Sequence, residues 1–483
     1  MAKTNSVDII PENMPERGLE GQFRLLKAKS HALRQEPLSA RKHRLQNLEK
    51  WIHANRDRIR QAVHLDYRKP LLEVDTSEIY PVLAELRHAL RNLDRWAAPV
   101  KVDATVSYLG TRSEIRYEPR GTCLIIAPWN FPFNLCVGPL VSCLAAGNNA
   151  VVKPSEMTPH TSHLVLEMAK EVFDMDMVVV VEGGAEVSKK LLELPFDHIF
   201  FTGSTTVGRH VMEAAARNLT SITLELGGKS PTVIDATANL NDAARRIAFG
   251  KFFNNGQTCI APDYILIDAS IRDEFIERLK VEVQRLFGDG GMIDEQSDSY
   301  SRMATTRQFH RVSELISDAA QCGAKVHWLG TMNEKENFIS PVILTDIPPQ
   351  AQIWKEEIFG PVLPIETFDS TEDIVNRING GQKPLALYIF SQRRSFQEYI
   401  LRNASSGSAC VNDCVVQFTH PNLPFGGVNH SGLGKSHGQY GFLSFSNEKS
   451  VLRQRNGWAA PYLLYPPYTR RMKKVVDLLL KWF

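Results

Sequence analysis

A chain of 483 residues is long enough for two or three domains around a large apolar core. Its hydrophobic share of 43% and charged share of 23% are those of an ordinary globular protein, which excludes a disordered or fibrous chain. A formal net charge of +2 gives no general pull toward nucleic acid, and no nucleic-acid partner is expected.

Residues 1–17 are polar and read as a mobile N-terminal arm without the apolar core of a signal peptide. Residues 20–98 read as helices. Ile79, Val82, Leu83, Leu86, Leu90 and Leu93 share one helical face, with Thr76 or Ser77 as its cap. Val106–Tyr117 is strand-like, interrupted by Gly110.

From residue 122 the pattern becomes strand, turn, helix. Apolar runs fall at Cys123–Ala127, Ala150–Val152, Met177–Val181, Ile199–Phe201 and Ile222–Leu226. A second series begins near Ser230, at Thr232–Ile234, Tyr264–Ile267, Val342–Leu344, Leu385–Phe390 and Ser408–Asn412. Alternating β and α predicts an α/β chain with two doubly wound parallel-sheet domains, divided near Gly227-Gly228.

The last stretch, 470–483, places Met472, Val475, Val476, Leu479 and Phe483 on one helical face. Arg470, Arg471, Lys473, Lys474 and Lys481 make it basic. Two readings stand: packing on the protein or a partner subunit, favoured for a terminal apolar stripe, or lying in a membrane interface. No run of 18 apolar residues predicts a spanning helix.

Seven cysteines form no framework and suggest a reducing, cytoplasmic setting. The C-x3-C of Cys410 and Cys414 has no second pair, so no metal is expected. Cys259 stands out because GQTCIAPDY (256–264) puts it after the turn-prone Asn254-Asn255-Gly256, and a thiol on a bend can be aimed at a carbonyl. Glu225 lies in LELGGKSP (224–231), at the end of an apolar run, where a carboxylate is costly unless paired or used. FTGSTTVG (201–208) leads from a strand into a helix through Gly203, Ser204 and Gly208, a turn that exposes backbone N–H groups to a phosphate. Its spacing is not the common GxGxxG. APWNFPF (127–133) contains Asn130, VVKPSE (151–156) contains Lys153 and Glu156, and EEIFGP (356–361) contains Glu357 and Phe359.

These blocks, in this order, resemble the aldehyde dehydrogenase superfamily over roughly residues 20–455. The APDY after the cysteine and the compact length resemble its class 3 branch of fatty and aromatic aldehyde dehydrogenases. The resemblance implies oxidation of a medium- or long-chain aliphatic or aromatic aldehyde to the acid, with Cys259 forming a thiohemiacetal and then a thioester. It implies an oxyanion site from the Asn130 amide and the Cys259 N–H. Glu225 is implied as the base for deacylation, with Glu357 the alternative. Gly203, Ser204 and Gly208 would serve the cofactor phosphates, Glu357 the nicotinamide ribose, Phe359 the nicotinamide, and Lys153 and Glu156 the adenosine ribose. A carboxylate there favours NAD, while NADP is also used in this branch.

The implied architecture is an NAD(P)-binding domain from 18–98 and 119–228, a catalytic domain at 229–418, an oligomerisation arm from 99–118 and 440–460, and a terminal amphipathic helix within 461–483. A homodimer is implied, and fatty aldehyde dehydrogenases of this branch carry membrane-associating or gating C-terminal segments. PFGGVNHSGLGKSHG (424–438) resembles the family's C-terminal loop, with His420, His430 and His437 read as loop or surface histidines. Phe131, Phe133 and Tyr80 are pocket candidates, although aromatics are more often core. Release of the thioester to CoA, or a dinucleotide-binding protein without activity, are the competing readings.

Overall fold

The computed structural model describes residues 18–105, 108, 110–288, 292–457, 462 and 465–482; the expected arm at 1–17 lies outside them. Two parallel sheets dominate, as expected. The first has six strands in the order Gly432–Leu433, Ser221–Glu225, His198–Thr202, Thr122–Ile126, Asn149–Lys153, Val178–Val180. All pair in parallel except Gly432–Leu433. Both faces are covered. Cys123 and Ile125 enter one core with the helices Leu38–Ala54 and Tyr80–Trp96, while Leu124 and Ile126 enter another with the helix Thr205–Ala216. Alternate side chains of one strand are thus all apolar, the reason a parallel sheet reads as a continuous hydrophobic run.

The second sheet has seven strands in the order Lys325–Trp328, Val342–Thr345, Val362–Phe368, Tyr264–Asp268, Pro231–Ile234, Ala386–Phe390, Ser408–Val411. Two of these were not expected. Val362–Phe368 is central but contains Pro364, which reads as a breaker; it sits where the strand passes from one neighbour to the other, paired to Leu344 before Ile365 pairs with Ile265. Lys325–Trp328 is an antiparallel edge with no fully buried face. A third, antiparallel sheet of Val100–Val102, Arg112–Pro119 and Ser446–Arg453 is mostly exposed.

The expected cap at Thr76 or Ser77 is replaced by continuous helix. Leu71–Val74 passes through one wide π-helical turn, Asp75–Ile79, into Tyr80–Trp96. The Ser77 hydroxyl donates back to the Glu73 carbonyl at 2.7 Å, so it serves the preceding turn and starts no new one. The terminal helix, Arg470–Trp482, keeps Leu478 and Leu480 exposed and Met472, Val475 and Val476 half-exposed. Its own chain covers this helix only in part.

Candidate active site

The cysteine loop begins where the helix Leu240–Phe252 ends. Asn254, Asn255 and Gly256 take φ of 53°, 54° and 71°, three left-handed residues in succession. Asn tolerates this conformation, and glycine is required at the third position because a Cβ there would run into the Gly360 carbonyl. Polar side chains then lock the turn. Asn254 Nδ2 donates to the carbonyls of Asn130 (2.8 Å) and Gln257 (3.2 Å), and Gln257 Nε2 donates to those of Asn254 (3.0 Å) and Arg302 (2.9 Å). Cys259 emerges on the wall of a cleft of about 1110 Å³.

The cleft also takes Asn130, Glu225, Glu357, Phe359, Gly203 and Ser204 from the expected set. Asn130 is 3% exposed, and one of its two amide N–H groups donates to the Gln257 carbonyl at 3.0 Å. Glu225 ends the strand Ser221–Glu225, between Thr202 and Gly432. Its Oε1 accepts from Ser436 Oγ at 2.8 Å, and its Oε2 is buried without a partner. Burial pushes its carboxyl up to about 7, against the opposing pull of Ser436, His437 and Lys435.

Glu357 rests against Gly227, where any Cβ would collide with its carboxylate. Burial, with Asp263 second, pushes its carboxyl up to about 8. Its backbone is tied down by cations: Lys229 donates to the carbonyls of Ile353 and Glu356, both at 2.8 Å, and Arg311 donates to the Glu357 carbonyl at 3.2 Å. Phe359 meets Trp129 edge to face at 5.3 Å. The Cys259 thiol is raised by burial and by the charges of Glu357 and Glu225, while the N–H groups of Cys259 and Ile260 favour its ionised form. The resting sulfur is therefore a thiol that needs a base, and two carboxylates face it.

At the other end, Ser204 caps the helix Thr205–Ala216 by accepting from the Val207 N–H. Gly203 and Ser204 line the cleft. Gly208 lies beneath them, where a Cβ would stand 2.7 Å from Leu226, so glycine lets the helix sit close on its strand. Lys153 and Glu156 come together as an ion pair at 2.9 Å at the carboxyl edge of the sheet, but neither lines the cleft.

Phe131 and Phe133 belong to the interior and Tyr80 is 61% exposed; none of the three lines the cleft. Leu135, Phe418 and Phe425 supply its apolar wall instead. His430 and His437 lie in loops, as expected, His430 exposed and His437 half-buried, and both border the cleft. The His437 ring lies 4.7 Å from Phe418 and 5.4 Å from Phe425, with Nδ1 3.8 Å from a Glu85 oxygen. Sequence reasoning missed Ser436 and Gly227. Ser436 could be found only by knowing that the strand Gly432–Leu433 joins the first sheet beside Glu225, a pairing across some 200 residues.

The arrangement fits a dinucleotide. The cleft has the size of a cofactor site, lies at the carboxyl ends of parallel strands, and opens on a helix N-terminus. The orphaned Glu225 Oε2 is free for a further polar ligand.

Comparison with known proteins agrees. Residues 23–451 match the model of the Aldehyde dehydrogenase family. The chain is 39% identical to the rat (Rattus norvegicus) aldehyde dehydrogenase family 3 member A2, over 93% of this chain and 91% of that one. It is 40% identical to the dimeric NADP-preferring aldehyde dehydrogenase of the mouse (Mus musculus), over 91% and 95%. Its fold matches the substrate-bound state of Staphylococcus aureus AldH with a TM-score of 0.91 at 38% identity, covering 95% and 99% of the two chains.

Proposed function

The chain belongs to the aldehyde dehydrogenase family, as an NAD(P)-dependent enzyme of the class 3 kind that oxidises an aldehyde to the acid, and we propose that Cys259, Asn130 and Glu225 carry the chemistry. The observation that supports this assignment is their convergence on one cleft, into which Glu225 brings a buried, unpartnered carboxylate oxygen.

As Cys259 Sγ attacks the aldehyde carbon, its proton passes to a carboxylate facing it, and the carbonyl oxygen becomes the alkoxide of a thiohemiacetal. Asn130 Nδ2–H and the Cys259 N–H meet that charge, each donor contributing about 3 kcal/mol to the barrier reduction. When bound, NAD(P) supplies the hydride acceptor that turns the adduct into a thioester. Glu225 then takes a proton from water as the water oxygen adds to the thioester carbon, and the acid leaves as the sulfur departs. A carboxyl near 7 suits that work at neutral pH. Glu225 is preferred to Glu357 because it keeps a free oxygen, whereas Glu357 is set by Gly227 and the Lys229 clamp to hold ribose hydroxyls. Phe359 and Trp129 border the nicotinamide, and Gly203, Ser204 and the helix end meet the pyrophosphate. Lys153 and Glu156 serve the adenosine ribose. Glu156 favours NAD, with NADP the second cofactor.

Leu135, Phe418 and Phe425 suit a medium- or long-chain aliphatic or aromatic aldehyde. A homodimer forms through the exposed third sheet, where Val100, Val102 and Leu452 are uncovered. The terminal helix touches anionic membrane surfaces through its cations and exposed leucines. Seven free cysteines support a cytoplasmic setting. The test is NADH formation at 340 nm across aldehydes from hexanal to hexadecanal with benzaldehyde. Loss of all NADH with Cys259→Ala is expected; retained turnover would remove the thioester route. Acyl-CoA formation on adding CoA would redirect the thioester to a different acceptor.

A further inference from the structure

The segment from Tyr67 to Ile79 carries buried polar groups that the chemistry above leaves unused. Lys69 and Glu78 are both 0% exposed and pair at 2.7 Å, with the ammonium 4.2 Å from the centre of the Phe131 ring. The second Glu78 oxygen accepts the N–H groups of Phe133 (3.2 Å) and Asn134 (2.9 Å). The Tyr67 hydroxyl donates to the Asn130 carbonyl at 2.7 Å. These groups hold the turn that carries Asn130.

Glu73, on the same segment, reaches the other half of the site. Its Oε1 accepts the Asn254 N–H at 3.0 Å and the Ser301 hydroxyl at 3.3 Å. The backbone carbonyl of Ser301 accepts from Asn255 Nδ2 at 2.8 Å. Glu73 thus grips the first residue of the left-handed turn before Cys259 directly, and Ser301, whose main chain holds the second, through its hydroxyl. That turn presents the Gln257 carbonyl to which Asn130 Nδ2 is bonded. Lys69 has Glu78 as its close partner, whereas the described partners of Glu73 are hydrogen-bond donors from the cysteine loop and its neighbour. A half-buried carboxylate whose described partners are all donors of the cysteine loop and its neighbour is placed to hold that loop.

We propose that Glu73 is a positioning residue for the oxyanion site: by holding the Asn254 N–H it sets the left-handed turn, the Gln257 carbonyl and, through them, the Asn130 amide and Cys259. This rests on the reading of Asn130 as an oxyanion donor. Charge is not required of Glu73, only an acceptor oxygen. A glutamine can supply it, and methionine fills the space without it.

The experiment measures the pre-steady-state NADH burst, KM for hexanal, NAD affinity and the rate of Cys259 alkylation by iodoacetamide. It uses Glu73→Gln, Glu73→Met, Asn130→Ala and the Glu73→Met/Asn130→Ala double variant. Glu73→Met should slow the burst about tenfold to a hundredfold, the scale of a small misplacement at a reacting centre, with KM and NAD affinity held. Glu73→Gln should stay near wild type. The double variant should be no slower than Asn130→Ala, because both changes remove one unit. A burst left intact by Asn130→Ala would overturn the oxyanion reading itself. A slow Asn130→Ala with a fast Glu73→Met, effects that multiply in the double variant, or a Glu73→Gln as slow as Glu73→Met would overturn the positioning role alone. If Glu73→Met fails to fold, Glu73→Asp, whose acceptor stops one methylene short of the Asn254 N–H, takes its place: a normal burst and normal alkylation overturn the role, and slowing of both supports it.

Discussion

Glu225 is a carboxyl displaced from its ordinary range by burial, and that displacement has two measurable consequences. Between pH 4.5 and about 7 the folded chain holds a proton on Glu225 that the unfolded chain has released, so its contribution to stability falls as pH rises through that window. Replacing it with an uncharged amide removes the cost of the buried charge. Glu225→Gln should raise Tm relative to wild type at pH 8 and match it near pH 4, measured by calorimetry. A base must be ionised to work, so deacylation in wild type should rise with pH around 7 and then level off. In Glu225→Gln an NADH burst should survive while steady-state turnover falls at least a hundredfold, as expected for loss of a general base. Equal loss of burst and turnover would assign Glu225 to the activation of Cys259 instead.

Elements meet the chemistry through glycines that let two segments touch. Gly227 follows the strand carrying Glu225 and leaves room for the Glu357 carboxylate. Gly227→Ala should push that flexible side chain aside at little cost in Tm and weaken NAD binding about tenfold or more, the loss of a hydrogen bond to a charged group, read by quenching of protein fluorescence. Gly256 is different, since its added Cβ would meet the fixed carbonyl of Gly360 at a positive φ. Gly256→Ala should lose both Cys259 alkylation and several degrees of Tm. A Gly256→Ala protein with wild-type alkylation would mean the loop does not depend on the left-handed turn.

At the scale of the molecule, the proposed assembly and surface contact make separate predictions. Sedimentation should give a particle of twice 54.4 kDa. A chain ending at Thr469 should remain a dimer through the exposed third sheet, keep activity on hexanal and lose cosedimentation with vesicles of anionic lipid. Cosedimentation should also vanish at high salt, because the attraction of Lys and Arg to the headgroups is screened. Among the described residues no helix is long and apolar enough to cross a membrane.

The residues proposed for the chemistry could be singled out without a fold because they sit in short motifs (a cysteine on an Asn-Asn-Gly turn, a carboxylate in an apolar run, glycines between strand and helix), and their proposed roles came from the resemblance of those motifs, in order, to the family. The parallel strands were legible for a similar local reason, being apolar on both faces. What the chain alone left undetermined was contact between distant segments. Val362–Phe368 was hidden by Pro364, which is tolerated where the strand changes neighbours. Ser436 reaches Glu225 only because Gly432–Leu433 adds itself to a sheet built more than 200 residues earlier. Phe131 and Tyr80, read as pocket candidates, were replaced by Phe418 and Phe425, since composition marks a ring as apolar but not the side from which it is covered. Glu73 reads as one more charge on a helix. Only packing against the cysteine loop makes it a half-buried acceptor, because burial and hydrogen bonding belong to pairs of segments and not to either sequence by itself.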